Sequence, residues 1–280
     1  MTESSGATAG HGTGDWEAPV ISDGVPDRCL QCTIRADWGH FRRIDRTVTK
    51  QTYRIPPRTT IAGLLAAIAG LDRDSYYDAF SLERSAIGIE VLEPVRTMTM
   101  PSLGLGTNPS ETFERAGGTG RKTVQVEYPD STTNRQIHSY EYLVDPAYRL
   151  SIATEDQAVY ETLANRLDAG TSHYTPSMGL SELLATVTTP EAVETSVGSV
   201  AGDGTSVSVA SAIPDATDAV IPQPGQTQHV ERVPAAMAAD ASGRWTTDYA
   251  DYAFAGGESI EAAPAELSLG TVGDRAIAFY

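Results

Sequence analysis

The sequence predicts an α+β fold, and three observations lead there. Leu30, Cys32, Ile34 and Ala36 alternate with Gln31, Thr33, Arg35 and Asp37, which marks a first strand over Arg28 to Trp38. The stretch Ile61 to Leu71 has no charged or hydrogen-bonding side chain, so a helix there is buried nearly all round. Val159, Leu163 and Leu167 repeat at helical spacing further along, after two more alternating segments. Strand, buried helix, strand, hairpin, strand, helix approximates β-α-β-β-α-β, the ferredoxin-like plan. An inserted hairpin and a β-rich carboxy-terminal run complete the expected architecture.

Met1 to about Gly24 is rich in Gly, Ser, Thr and Ala, with almost nothing to bury, and is expected to be a disordered tail (1–24). The main domain is expected over 25–190. The first strand exits through Trp38-Gly-His-Phe-Arg-Arg, and the loop runs on through Arg46 and Lys50 to Tyr53. Pro56 and Pro57 hold the approach to the first helix extended, and Thr59 or Thr60 is expected to cap it. Gly63 and Gly70 each cost roughly 1 kcal/mol against Ala, which points to close approach of a neighbouring backbone.

A second strand is expected at about Ser85 to Met100, with Leu103-Gly-Leu-Gly as a tight connection. Thr123 to Tyr128 and Gln136 to Val144 both alternate and read as the arms of a long hairpin within about 108–144, with Arg121, Lys122 and Arg135 near its ends. Tyr148 to Ala153 reads as another strand. Thr154 is the expected cap of a helix from Glu155 to Ala169, with Gly170 as its stop. Beyond Pro190 the texture changes to Val- and Ala-rich runs broken by Gly, Pro and Asp. Strands are expected there at Ser206 to Ile213, His229 to Val233, Trp245 to Phe254 and Arg275 to Tyr280, making an acidic β-rich extension (191–280).

Acidic residues outnumber basic ones 37 to 20, a net charge of −17, and only Lys50 and Lys122 are lysines. Abundant Asp and Glu with scarce Lys resembles proteins of extreme halophiles, whose acidic surfaces keep them soluble in concentrated salt. The composition thus describes the solvent more than the partner and does not exclude nucleic acid. Charge is uneven along the chain. Arg28 to Arg58 carries eight basic residues against Asp37 and Asp45. Leu180 to the end carries only Arg232, Arg244 and Arg275 against fourteen acidic residues. Such asymmetry points to one anion-binding face on an acidic body.

Two readings fit the basic stretch. Trp38, His40, Phe41, Arg42, Arg43, Arg46, Lys50 and Tyr53 interleave rings with cations, as a single-stranded nucleic-acid platform needs for stacking bases and holding phosphates. Alternatively, this is a solvated loop with one or two rings tucked into the core. The helix that follows divides the same way. Arg54 and Arg58 flank its amino end, where orphan amides and the dipole favour a phosphate, or they simply stay in solvent beside a core helix.

Phe41-Arg42 after strand one, Pro56-Pro-Arg-Thr-Thr-Ile-Ala-Gly-Leu-Leu-Ala-Ala-Ile68 and Tyr174-x-Pro-x-x-Gly-x-x-Glu together resemble the fifth Cas protein family. These are RAMP-superfamily subunits of type I CRISPR Cascade complexes, and the resemblance covers roughly Cys29 to Val187. The resemblance implies an RRM-like RAMP domain in a non-catalytic subunit that grips the 5′ handle of the crRNA and caps one end of the backbone filament. It further implies a β-hairpin thumb at about 108–144, and as partners a backbone RAMP subunit and the large subunit. Phe41, Arg42, Arg58 and Gly179 fall on family motif positions. Assigning Arg43, Arg46, Lys50, Arg54, Arg121, Lys122 and Arg135 to RNA rests on charge. The composition suggests a haloarchaeal member of subtype I-B.

Some relatives, of subtype I-C, cut precursor crRNA themselves. Metal-free RNA cleavage needs a base, an acid and a cation, for which His40, Tyr53, Lys122 and His138 are candidates, but no pair has a diagnostic spacing. A protein-only structural adaptor is a further alternative. Cys29 and Cys32 have a C-x-x-C spacing but lie in a strand, where positions three apart face opposite sides, and no second pair completes a tetrahedral site. No cofactor or metal is expected. The amino terminus lacks a signal peptide's pattern and the longest apolar run is too short for a bilayer, so a cytoplasmic protein is expected.

Overall fold

The structure, a computed structural model, describes residues 16–43, 49–105, 135–200, 206–241 and 243–280. It is mostly β, with two long helices, α1 (Arg58–Ala69) and α2 (Gln157–Asp168), among the described residues. Its centre is β1 (Arg28–Arg35). β2 (Ser85–Val91), β3 (Thr97–Leu105), β4 (Arg135–Val144) and β5 (Ala147–Thr154) follow in the first part of the chain. The second part adds β6 (Glu194–Ser199), β7 (Val207–Val209), β8 (Gln228–Asp240) and β9 (Gly243–Ala255). β10 (Ile260–Ala262), β11 (Leu269–Val272) and β12 (Arg275–Ala278) close it.

The main sheet runs β10-β7-β12-β11-β6-β1-β5-β2, with the short strand Thr186–Thr188 also paired to β1. Pairs β6–β1, β1–β5 and β5–β2 are all antiparallel. The sheet curls on itself: the Ile87 amide on β2 donates to the Tyr280 carbonyl at 2.9 Å, and the Ala212 amide donates to the Ile89 carbonyl at 2.7 Å. Alternation sends side chains to two cores. Leu30, Cys32, Ile34, Ile87, Ile89, Leu150 and Ile152 pack with the helices, while Cys29, Ala86, Ala153, Val272, Ile277 and Phe279 fill the inside of the curl. Cys29 and Cys32 therefore lie on opposite faces of β1, and burial pushes each thiol up to about 12.

The carboxy-terminal strands share this sheet and core, because β6 pairs directly with β1 through Glu194↔Leu30. The expected boundary at 190 thus falls within one continuous sheet. The expected tail 1–24 is also too long. Residues 1–15 lie outside the described residues, but Trp16 donates its indole N–H to the Asn165 side chain at 2.8 Å, and Ile21–Ser22 pairs with Val25–Pro26.

Both helix caps differ from expectation. α1 follows Pro57, whose carbonyl accepts the Thr60 and Ile61 amides, and neither threonine caps it. It ends at Ala69 because Gly70 turns left-handed, at a φ of 86°. There a Cβ would stand 2.7 Å from the His173 ring. α2 is capped by Asp156, which accepts the Val159 amide at 3.1 Å, while the Thr154 hydroxyl donates to the Ala79 carbonyl.

The hairpin also has a different first arm. β4 pairs antiparallel with β3, from Leu105↔Arg135 to Thr97↔Leu143. The expected strand Ser85 to Met100 is two strands, and Leu103-Gly-Leu belongs to β3 rather than to a connection. Residues 106–134, including the expected strand 123–128, lie outside the described residues.

Candidate nucleic-acid interface

β4 alternates Ile137, Ser139 and Glu141 on one face with His138, Tyr140 and Tyr142 on the other, as the twofold repeat of a strand requires. Tyr140 and Tyr142 stack, with ring centroids 6.1 Å apart and 26° between planes. Trp38 meets Tyr142 edge-on at 6.3 Å. Across the ladder, Met100 lies opposite Tyr140 and Met98 opposite Tyr142, and Met98 is 49 % exposed. The short strand Thr49–Lys50 pairs along the other edge of β4, putting Lys50 in register with Tyr140. A partly exposed row of Trp38, Tyr142, Tyr140 and His138, with methionines on one side and a lysine on the other, results.

His40 lies beneath this row. It is 1 % exposed, its Nδ1 is 2.7 Å from the Glu141 carbonyl, and its ring is 5.3 and 5.7 Å from Tyr140 and Tyr142. Burial holds its pKa below the usual histidine value, with nearby Arg42 adding to the effect, so the ring is neutral at pH 7. Its Nε2 has no hydrogen-bond partner among the described residues. His40 is thus a support of the row rather than a surface contact.

Gly179 supports from the other side. Its φ is 93°, and a Cβ there would lie 2.0 Å from the His40 carbonyl oxygen. The Met178 carbonyl accepts the His40 amide at 3.0 Å. The glycine loop therefore rests directly on the His40–Phe41 backbone, which only glycine permits.

Several residues expected at the interface are inside. Phe41 is buried against Tyr148, with ring centroids 6.1 Å apart, because the pairing Phe41↔Tyr53 turns both rings into the core. Arg58 is 1 % exposed. Its guanidinium donates to the carbonyls of Phe80 (2.6 Å), Ser81 (3.2 Å), Ser85 (3.2 Å) and Tyr280 (3.2 Å), and to the Ser85 hydroxyl (2.6 Å). It is a clamp, not a phosphate contact. Tyr53 is buried beneath Arg43, whose guanidinium carbon stands 5.1 Å over the ring. Arg42 is exposed, and Arg54 is half exposed. Arg135 begins β4. Arg46, Arg121 and Lys122 lie outside the described residues.

Sequence reasoning passed over Tyr140, Tyr142 and Glu231. The tyrosines were visible as the alternation His-Ser-Tyr-Glu-Tyr, whose ring-bearing face is the signal. Glu231 gave no sign, since its partners Arg43 and Arg54 are far away in sequence. Among the described residues no group of three His, Cys, Asp or Glu side chains could hold a metal ion. No helix among them is long and apolar enough to cross a membrane.

A mostly β chain with a curled sheet and a ring-bearing hairpin on its flank is the class of protein these features define. Residues 29–246 match the family described as "CRISPR-associated protein (Cas_Cas5)", and the chain belongs to that family. Among solved structures it is similar to a chain of a CRISPR RNA-guided surveillance complex, at 14 % identity and a TM-score of 0.48, covering 84 % of this chain and 91 % of that one. It is also similar to a chain of a Type III-B Cmr-beta complex bound to cognate target RNA and AMPPnP, at 12 % identity and a TM-score of 0.45, covering 82 % and 86 %. A third similarity is to the functionally uncharacterized protein SMU1763c from Streptococcus mutans, at 12 % identity and a TM-score of 0.39, covering 87 % and 98 %. No curated protein matches the sequence.

Proposed function

We propose that this chain is the non-catalytic crRNA-binding subunit of a type I CRISPR Cascade complex, gripping the 5′ handle and capping the backbone filament. The observation that carries this is the stacked Tyr140–Tyr142 row beside Trp38 and Lys50, on a chain of the Cas5 family. Rings at this spacing offer faces to successive unpaired bases, and Lys50 and exposed Arg42 offer charge to the phosphates. The β6-β1-β5-β2 order, antiparallel throughout, supports reading the core as a ferredoxin-like RAMP domain, with β3–β4 as the base of its thumb. In this reading the backbone RAMP subunit and the large subunit are its neighbours in the cytoplasm. The acidic, lysine-poor composition favours a haloarchaeal subtype I-B complex.

The non-catalytic part rests on the surroundings of two candidate proton carriers. His40 and Tyr53 are both buried, and desolvation opposes the charge His40 would carry in RNA cleavage. The test is handle-RNA affinity of the assembled complex carrying Tyr140→Ala or Tyr142→Ala. Each should weaken binding by about 5- to 150-fold, the range for one lost base–ring stack. Unchanged affinity in both variants would remove the row from the interface. Shortening of a precursor RNA without metal would make the chain an endoribonuclease instead.

A further inference from the structure

β8 and β9 form a 13-residue by 13-residue ribbon, and one residue of it reaches the basic segment. Glu231 on β8 is 5 % exposed, yet its carboxylate is fully engaged. Oε2 accepts the Arg54 amide at 2.7 Å, Oε1 accepts the Arg54 guanidinium at 3.3 Å, and the Arg43 guanidinium stands 3.8 Å away. The Tyr148 hydroxyl donates to the Arg54 carbonyl at 3.1 Å, so this residue is held at its amide, its carbonyl and its side chain. Arg43 is held between Glu231 and the Tyr53 ring.

A buried carboxylate is an expensive way to secure a strand. Desolvation raises its pKa despite the two arginines, and apolar packing in its place would serve stability as well or better. What apolar packing cannot do is aim a guanidinium group. Arg54 keeps 44 % of its side chain in solvent, so it retains a face for an outside anion. Held arginines lose less rotamer freedom when they meet a phosphate. We propose that Glu231 is a positioning residue that sets the direction of Arg54 toward the phosphates of bound single-stranded RNA, which gives the carboxy-terminal ribbon a part in binding. This rests on the RNA-binding reading above.

Charge and positioning predict opposite signs, which makes the inference testable. By charge alone, removing an acid beside two arginines should tighten RNA binding. The experiment measures affinity of the assembled complex for a 5′-handle oligonucleotide at fixed salt, with melting temperature recorded, for wild type, Glu231→Gln, Glu231→Ala, Arg54→Ala and the Glu231→Ala/Arg54→Ala pair. Glu231→Ala should weaken binding by about fivefold or more, and the pair should be no weaker than Arg54→Ala alone, as expected when one residue acts through the other. Glu231→Gln, which keeps an acceptor for the Arg54 amide, should fall between and remain folded if the alanine variant does not. Equal or tighter binding by Glu231→Gln or Glu231→Ala overturns the inference, whether or not melting falls. If wild type itself fails to bind the oligonucleotide, the RNA reading fails and this inference with it, which a binding wild type distinguishes.

Discussion

Arg58 sits in the most distinctive run of the sequence, Pro-Pro-Arg-Thr-Thr, and its guanidinium is turned away from solvent onto the carbonyls of Phe80, Ser81, Ser85 and Tyr280. Such a group stays protonated even where burial lowers its pKa, because arginine starts so high. It ties the start of α1 to the loop before β2 and to the end of the chain, positions 22, 27 and 222 residues away. Arg58→Ala would remove the guanidinium donors from those carbonyls and should cost at least about 1–3 kcal/mol, read from denaturant unfolding, with the RNA affinity of the folded fraction preserved. A loss of affinity without a loss of stability would return Arg58 to the interface. Charge and local pattern distinguish a solvated arginine from a clamped one only through the partners, and here the partners are distant in sequence. His40 teaches the same point: the rings that cover it come from β4, about a hundred residues on.

At the scale of elements, strands and helices with strong periodicity were legible, as with β1, β5 and both helices. Boundaries set by side chains were not. Asp156 caps α2 in place of Thr154 because Thr154, at the end of β5, gives its hydroxyl to Ala79. β3 was hidden because Pro94 and Pro101 interrupt the stretch. Pro101 nonetheless stays in β3, opposite Ser139. The glycine turn was legible as a turn, but its function as a rest for the His40–Phe41 backbone needed the contact itself. Gly179→Ala would place a methyl 2.0 Å from the His40 carbonyl oxygen at a φ of 93°. The left-handed backbone alone should cost roughly 1–3 kcal/mol, and the loop or the backbone beneath Tyr140 must shift. The expected outcome is a lower denaturant midpoint together with weaker RNA binding. Wild-type stability in this variant would show that the loop does not bear on the row.

The whole molecule is organised by the curl of its sheet, which the first two-thirds of the sequence could not reveal by themselves. Gly88 leaves room for Ile277, whose Cγ2 would lie 2.3 Å from a Cβ there. Buried Glu90 accepts from Arg149 at 3.2 Å and from Arg275 at 2.5 Å, joining β2, β5 and β12. These contacts make the carboxy-terminal strands part of the scaffold that carries the candidate interface, and Glu231 extends their reach to Arg43 and Arg54. The acidic composition of this part of the chain masked that role, since its few basic residues and short runs read as a separate extension. The central claim, that the assembled surface holds the 5′ end of a crRNA, is tested most directly by sequencing RNA that copurifies with the protein in its complex. The account predicts one short RNA population with a uniform 5′ end, reduced when both Tyr140 and Tyr142 are alanine. Absence of RNA, or RNA with scattered 5′ ends, would contradict it.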